Sequence, residues 1–113
     1  MADDTNDIPI EAWNTVLFDK FVRFKHLLTL GLVQHGRAAI ARAAYPAGSR
    51  VLDIGCGFGD STLEIAQSLL PSGAAVGVDC AQNFIDWADR DAAEAKACRP
   101  MSGSPLAIFE PRL

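Results

Sequence analysis

Hydrophobic positions in the first third of the chain recur with the period of an α-helix. They are spaced four, four, three and four residues apart, which places them on one side of a helix: Trp13, Leu17, Phe21, Phe24 and Leu28. Gly31 and Gly36 each weaken a helix that continues through them. The pattern therefore predicts a long helix over residues 10–30 and a second helix over 36–45, followed by the turn-forming run 46–49.

Beyond residue 50, short apolar runs alternate with helical segments. Val51–Ile54 and Ala75–Val78 are rich in β-branched residues and predict buried parallel strands. Between them, Ser61 and Glu64 have the spacing of a capping box, which predicts a helix that starts there, and another helix is expected over 82–97. Strand, helix, strand, helix predicts a right-handed βαβ unit and hence an α/β, Rossmann-like fold.

The last residues differ in composition from the rest. Turn-forming residues dominate 98–105, and Leu106–Phe109 is a short apolar run before a proline. We expect at most one short edge strand in this tail and no separate domain.

Composition narrows the class of partner. With 113 residues, 50% of them hydrophobic, and a net charge of −4, the chain is typical of one small globular domain and not of a nucleic-acid-binding protein. Its longest apolar stretch, Leu27–Val33, is far shorter than the ~20 residues of a membrane span, and its acidic N-terminus is not a signal peptide. Three cysteines without a CxxC pair predict neither a disulfide framework nor a metal site, and favour a cytoplasmic location.

The charges are unevenly distributed along the chain. Between residues 20 and 50 there are six basic residues and no acidic one, whereas nine acids and four bases follow from Val51 onward. A basic amphipathic segment is typical of a helix on a membrane surface or against an anionic partner, but more often it is the solvated face of an ordinary helix. The sequence favours the solvated face, so no membrane partner is predicted.

A glycine-rich loop directly after the first predicted strand is the most informative segment. Gly55, Gly57 and Gly59 alternate with Cys56 and Phe58 between a strand and a helix. Glycines let the backbone turn sharply and let a ligand approach it closely. Because open α/β sheets bind ligands at the carboxyl ends of their strands, the loop predicts a site for a nucleoside cofactor.

Two acidic residues accompany this loop. Asp79 follows the second strand, twenty positions after Gly59, where a carboxylate can accept hydrogen bonds from both hydroxyls of a ribose; helix capping is its alternative role. Asp53 precedes the first glycine by two residues, where it would repel a pyrophosphate and suit a cationic group. Asp60 occupies the place of the third glycine in G-x-G-x-x-G, and no Gly-Lys-Ser/Thr follows. These features disfavour NAD, exclude a P-loop and favour S-adenosylmethionine, which has an ammonium, a sulfonium and no phosphate.

Residues 51–65, together with Gly77-Val78-Asp79, resemble the class I S-adenosylmethionine-dependent methyltransferases. Glu11–Asn14 and the aromatic helix after it resemble the N-terminal cap of small-molecule members of that family, so that the resemblance covers residues 8–97. It implies methyl transfer from S-adenosylmethionine to a small-molecule acceptor by in-line displacement, for which positioning and desolvation are the main contributions of the protein.

The resemblance also implies a role for each residue of the cofactor site. The loop and Asp53 would line the methionine end, Asp79 would bind the ribose and Cys80 would lie against the adenine. The implied cofactor-binding residues are Asp53, Gly55, Cys56, Gly57, Phe58, Gly59, Asp79 and Cys80. No catalytic residue is assigned, because no base is evident beside Cys56 or Cys80 and cysteines are more often small buried packing residues.

By the same resemblance, the chain is the Rossmann-like βαβ half of a class I methyltransferase sheet with an N-terminal helical cap. The cap covers residues 1–36, the cofactor-binding βαβ region 37–97 and an irregular tail 98–113. Members of the family have a seven-stranded sheet and are usually more than twice as long, so we expect a truncated or frame-shifted fragment.

An alternative function is that of a non-catalytic remnant or interaction module with weak or no cofactor binding. The sheet predicted here has an open edge beside Val51–Ile54, and unpaired backbone next to an apolar strand favours self-association. The isolated chain is therefore expected not to turn over.

Overall fold

The computed structural model describes residues 6–98 and 107–111. In chain order the elements are α1 (Asp7–Asn14), α2 (Val16–Arg23), α3 (Lys25–Ala43), β1 (Arg50–Ile54), α4 (Asp60–Ser68), β2 (Ala74–Val78), α5 (Gln82–Cys98) and β3 (Ala107–Glu110). The alternation of strands and helices after residue 50 confirms the predicted α/β, Rossmann-like fold with helices at its N-terminus. Within the ranges described, no helix is both long and apolar enough to span a membrane.

The strands form one parallel sheet in the order β1-β2-β3. In the central pairing, Val76 of β2 lies opposite Leu52 of β1 and Ile108 of β3. β3 is the apolar run that the sequence predicted as an edge strand, one residue later than expected. This part of the predicted irregular tail is therefore a strand that pairs with β2. Ala107 and Phe109 attach it to the sheet because both are buried in the core. The rest of the tail, 99–106 and 112–113, lies outside the described residues.

The two faces of the sheet differ in their cover. Helices α4 and α5 pack on one face and form the core with it: Ile65, Ala66, Leu69, Ala75, Ile85, Ala88, Ala92, Ala107 and Phe109. On the other face, Leu52, Ile54 and Ile108 are 46%, 72% and 42% exposed. We call these three side chains the open sheet face. Parallel sheets are normally covered on both faces, so the open sheet face is an uncompleted packing surface.

The N-terminal helices differ from the prediction of one long helix over 10–30 and a second over 36–45. The chain turns at Thr15 (φ −125°, ψ −95°), whose hydroxyl donates to the carbonyl of Glu11 at 2.8 Å, and a side chain that bonds the preceding turn bends a helix. A further turn at Phe24 separates α2 from α3. α3 then continues through Gly31 and Gly36, because a cost of about 1 kcal/mol per glycine does not stop a long helix. The predicted cap boundary at 36/37 therefore falls inside α3.

The capping box predicted for the helix after the loop is wrong. α4 begins at Asp60, directly after Gly59 in the left-handed region (φ 82°), and no side chain caps it. The glycine thus starts the helix one residue before Ser61, which lies inside the first turn. The carboxylate of Glu64 is consequently free for a different partner, Arg37 on α3.

Candidate cofactor site

A cavity of about 550 Å³ lies between α3 and the glycine loop. Six of the predicted site residues line it: Gly55, Cys56, Gly57, Phe58, Asp79 and Cys80. The opposite wall comes from α3: Leu28, Thr29, Leu32, Val33, Gly36 and Ile40. Leu28 belongs to the apolar side that the sequence predicted for the first helix, and two further residues of that side, Trp13 and Phe21, also line the cavity. The other five residues of this wall were not singled out from the sequence as site residues.

The loop owes its shape to three glycines in the left-handed region. Gly55, Gly57 and Gly59 have φ values of 74°, 55° and 82°, which residues other than glycine rarely adopt. At the start of the loop, the N–H groups of Gly55 and Cys56 both donate to the carbonyl of Val78, at 2.8 and 3.0 Å. This bond pair fixes the point at which the chain leaves β1 and turns toward the cavity.

Gly55 and Gly59 have different roles in this loop. A Cβ on Gly55 would meet no atom within 4 Å, so the backbone there borders open space that a ligand can approach. A Cβ on Gly59 would lie 2.7 Å from the Phe109 ring and 2.9 Å from the Cβ of Ala88. Gly59 does not line the cavity. It allows α4 to pack closely on β3 and α5, while its predicted part in cofactor binding stays a prediction.

Asp79 binds the loop and the start of α5 at the same time. Its Oδ2 accepts a hydrogen bond from the N–H of Gly57 at 3.0 Å, and its Oδ1 accepts one from the N–H of Ala81 at 3.0 Å. Ala81 immediately precedes α5, so Asp79 caps the start of this helix, which was its alternative role. Asp79 also lines the cavity. Each carboxylate oxygen has a further lone pair, which leaves acceptors for a ligand hydroxyl.

Asp53 is not among the residues that line the cavity. Its Oδ2 accepts a hydrogen bond from the hydroxyl of Thr62 at 2.7 Å, and Thr62 on α4 is fully buried. In the sheet register Asp53 lies opposite Gly77, on the face covered by α4 and α5. Asp53 therefore connects β1 to α4, and its expected place at the methionine end of the cofactor stays a prediction.

Two ion pairs connect α3 to α4 beside the cavity. Lys25 Nζ lies 3.3 Å from an oxygen of Asp60, and Arg37 Nε lies 2.8 Å from an oxygen of Glu64. Both pairs are partly exposed, so each contributes about 0–1 kcal/mol. Neither pair was predicted from the sequence, although the absence of acidic residues between positions 20 and 50 indicated that the bases there would need acidic partners from another segment. Their effect is to neutralise two of the carboxylates on the cavity wall.

An aromatic cluster joins the N-terminal helices to the loop. Its members are Trp13, Phe18, Phe21, Phe58, Phe84 and Trp87. Phe84 lies at its centre, with ring centroids 5.0 Å from Phe18, 4.9 Å from Phe58 and 6.1 Å from Phe21. Because these rings come from α2, the loop and α5, the cluster holds the helical cap against the cofactor loop.

A pair of asparagines makes a second connection between the cap and α5. The backbone N–H of Asn83 donates to the side-chain oxygen of Asn14 at 2.8 Å, and the Asn83 side chain donates to the Asn14 carbonyl at 2.5 Å. These bonds fix the end of α1 beside the first turn of α5.

Neither Cys56 nor Cys80 has the properties of a nucleophile. Burial, and then the charges of Asp79 and Asp53, raise the pKa of the Cys56 thiol to about 12. Burial and the charge of Asp79 also raise the pKa of Cys80. Thiols with raised pKa values remain protonated at neutral pH, which agrees with the absence of a catalytic assignment for either residue.

We expect iodoacetamide at pH 8 to modify Cys56 far more slowly in the folded chain than in urea. With a pKa of about 12, only about one thiol in ten thousand is ionised at that pH. Peptide mass spectrometry on a Cys98→Ser variant measures the modification of Cys56 and Cys80 separately. Equal rates with and without urea would contradict the raised pKa of Cys56.

Comparison with known proteins places this geometry in a family. A family model described as a methyltransferase domain matches residues 51–106. The chain is 52% identical over 54 residues to a demethylmenaquinone methyltransferase of Roseiflexus castenholzii, covering 47% of this chain and 22% of that relative. It is 31% identical over 91 residues to a demethylmenaquinone methyltransferase of Lactobacillus johnsonii, covering 76% of this chain and 37% of that relative.

A solved structure shows the same fold. The match is to a TehB-like SAM-dependent methyltransferase from Corynebacterium glutamicum, with a TM-score of 0.53 and 19% identity, over 86% of this chain and 46% of that chain. The chain thus spans less than half the length of each of these proteins. By its fold, its family model and its relatives, it belongs to the class I S-adenosylmethionine-dependent methyltransferases.

Proposed function

We propose that the chain binds S-adenosylmethionine in the cavity beneath α3 and that this region serves methyl transfer to a small-molecule acceptor. The observation that supports this best is the position of Asp79. Its carboxylate lies at the end of β2, accepts the N–H of Gly57 and lines the same cavity that the open backbone of Gly55 borders. A carboxylate beside a glycine loop at the carboxyl end of parallel strands suits a ribose.

The charges on the cavity wall fit this cofactor better than a phosphate-bearing one. In the described part of the chain no lysine or arginine lines the cavity, whereas Asp60, Glu64 and Asp79 do. Lys25 and Arg37 pair with the first two of these acids, and Asp79 is held by backbone N–H groups alone. A pyrophosphate would thus meet the carboxylate of Asp79, which no cationic side chain neutralises, while a sulfonium and an ammonium would be attracted.

Each residue of the site would contribute by binding and by excluding water. Asp79 would accept the ribose hydroxyls, the backbone at Gly55 would allow close approach, and Cys80 would lie against the adenine. Phe58 is 9% exposed and Phe84 is 4% exposed, so both give the cavity an apolar, water-excluding wall. The bound cofactor would supply a methyl group on a sulfonium sulfur, and an acceptor held in line with that bond would attack it.

The acceptor we propose is an uncharged and largely apolar small molecule. The wall contributed by α3 consists mainly of apolar side chains, among them Leu28, Leu32, Val33 and Ile40. Such a surface offers contact area but no charge to an acceptor. Demethylmenaquinone, after which two of the relatives are named, is the candidate acceptor. The free thiols of Cys56 and Cys80 support a reducing, cytoplasmic setting.

Calorimetric titration tests the cofactor assignment. We expect S-adenosylmethionine and its demethylated product to bind more tightly than NAD. Asp79→Ala should weaken this binding by about 1.5–3 kcal/mol, because hydrogen bonds to a charged acceptor are lost. Asp86→Ala is the matched control, since Asp86 is exposed on α5 and accepts a hydrogen bond from Gln82 on its own helix.

Two results would overturn this assignment. Tighter binding of NAD would contradict the charge argument. An equal effect of Asp79→Ala and Asp86→Ala would reduce Asp79 to its role in starting α5.

A non-catalytic interaction module remains the second candidate, and the open sheet face is the observation that favours it. Leu52, Ile54 and Ile108 form an apolar surface on a face of the sheet, and such faces are normally covered. β1 has a partner strand on one side only in the residues that the structure describes, so self-association through this edge belongs to the same candidate. Self-association in size-exclusion chromatography, together with weak or no binding of S-adenosylmethionine in the calorimetric titration, would favour this second function.

A further inference from the structure

We infer that Asn14 is a positioning residue of the proposed cofactor site, which it serves by capping α5 from α1; this role rests on the proposed function. The side-chain oxygen of Asn14 accepts the N–H of Asn83 at 2.8 Å, although the two residues are 69 positions apart. Asn83 is the second residue of α5, and the first N–H groups of a helix have no partner within it. Asn14 thus supplies, from another helix, the acceptor that an N-cap side chain normally provides.

The first turn of α5 has no caps of its own. Its N-cap residue is Ala81, whose carbonyl accepts the N–H groups of Phe84 and Ile85. Alanine is among the poorest N-cap residues, and Phe84, the third helical residue, cannot reach back to the N-cap as a glutamate would. Packing explains both residues, since Ala81 and Phe84 are buried together with Phe58 of the loop. The contact between α5 and the loop therefore excludes a polar side chain at both capping positions.

Two side chains from outside the helix replace the missing caps. The first is Asn14, which accepts the N–H of Asn83. The second is Asp79, whose Oδ1 accepts the N–H of Ala81 and whose Oδ2 accepts the N–H of Gly57, each at 3.0 Å. The start of α5 therefore helps to set the orientation of the Asp79 carboxylate in the cavity. Fraying of that first turn would release one of the two bonds that hold this carboxylate.

The position of Asn14 is fixed on two sides. The Asn83 side chain donates to the Asn14 carbonyl, so the two residues form a closed pair of hydrogen bonds. Next to Asn14, the Trp13 ring lies 5.4 Å from the Phe21 ring and 6.4 Å from the Phe84 ring, measured between centroids. Trp13 also lines the cavity. The end of α1 thus contributes to the site by a wall residue and by a cap for α5.

Hydrogen exchange followed by NMR tests this connection on the full chain without any ligand. Asn14→Ala should speed the exchange of the Asn83 N–H directly and that of the Gly57 N–H through Asp79, by about threefold or more. The N–H of Leu63, in the first turn of α4, is the internal reference and should keep its rate. An unchanged rate at Gly57, or an equal rise at Leu63, would overturn the inference.

Calorimetric titration with S-adenosylmethionine measures the consequence for the site. Asn14→Ala should raise the Kd about threefold to fivefold, the fold-change that corresponds to a lost N-cap of about 1 kcal/mol. In an Asp79→Ala background the same substitution should change the Kd less than about twofold, because it acts through that carboxylate. Asn14→Asp keeps the accepting oxygen and should restore the affinity. Equal losses in the two backgrounds, or no restoration by Asn14→Asp, would contradict the positioning role.

Asn83→Ala is the matched control. It removes the side chain that donates to the Asn14 carbonyl but keeps the backbone N–H that Asn14 caps. The Kd should therefore change less than about twofold. A loss as large as that of Asn14→Ala would make the pair a general attachment of α1 and overturn the inference.

Two further outcomes are decisive. Unfolding of Asn14→Ala, measured by circular dichroism, would overturn the inference, because one helix cap contributes only a small part of the stability of a domain. If the unsubstituted chain does not bind S-adenosylmethionine, the proposed function fails. The exchange rate at Gly57 then decides alone whether Asn14 holds Asp79 in place.

Discussion

Phe84→Ala is expected to lower the free energy of unfolding by about 3–5 kcal/mol, the usual cost of truncating a buried phenylalanine. The Phe84 side chain is 4% exposed and lies at the centre of the aromatic cluster. Its removal would leave a void between rings from α2, the loop and α5. Urea unfolding followed by circular dichroism measures the change.

Phe24→Ala is the matched control for this substitution. The same atoms are removed from a ring that is 46% exposed, so we expect a change of less than about 1 kcal/mol. If the two substitutions cost the same, the cluster is not the main attachment of the helical cap. A lower cofactor affinity in Phe84→Ala would further indicate that the cap and the loop depend on each other.

Gly59→Ala should destabilise the fold by about 3 kcal/mol or more, because strain and overpacking act together. The residue has a φ of 82°, and a Cβ would lie 2.7 Å from the Phe109 ring and 2.9 Å from Ala88. Neither neighbour can move freely, since Phe109 and Ala88 are both in the core. Urea unfolding again provides the measurement.

Gly31→Ala makes the same substitution at a position that has neither a left-handed φ nor a close neighbour. A Cβ on Gly31 would meet no atom within 4 Å, and the residue lies in the interior of α3. Alanine there should raise the stability by up to about 1 kcal/mol through its higher helix propensity. A Gly59→Ala variant as stable as the unsubstituted chain would contradict the close packing of α4 on β3.

The strands and the glycine loop could be predicted from the sequence because their signals are local. A β-branched run, three alternating glycines and an acid after the next apolar run lie within thirty residues and specify one arrangement. The helices of the cap were less predictable. The turn at Thr15 depends on a hydroxyl that donates a hydrogen bond to the preceding helical turn, and a periodic apolar pattern gives no indication of such a bond.

The rest of the site depends on contacts between distant segments. α3 forms one wall of the cavity, yet its own sequence does not specify that it faces residues 55–58. The contacts of Asp53 could not be predicted for a different reason. Side chains alternate between the faces of a strand, so its place beside Thr62 follows from the face that α4 covers, which the tertiary fold determines. The capping box failed because a left-handed glycine started α4 first.

The aromatic cluster has one further consequence, which concerns how the molecule can be observed. The chain has two tryptophans, and both belong to the cluster. Trp13 lines the cavity, and Trp87 packs on Phe58 at 5.3 Å while its indole N–H donates to Asp91. Tryptophan emission from this chain therefore originates entirely at the junction of cap and loop. No strand contains a tryptophan, so emission reports the contact between the helical cap and the loop and not the state of the fold as a whole.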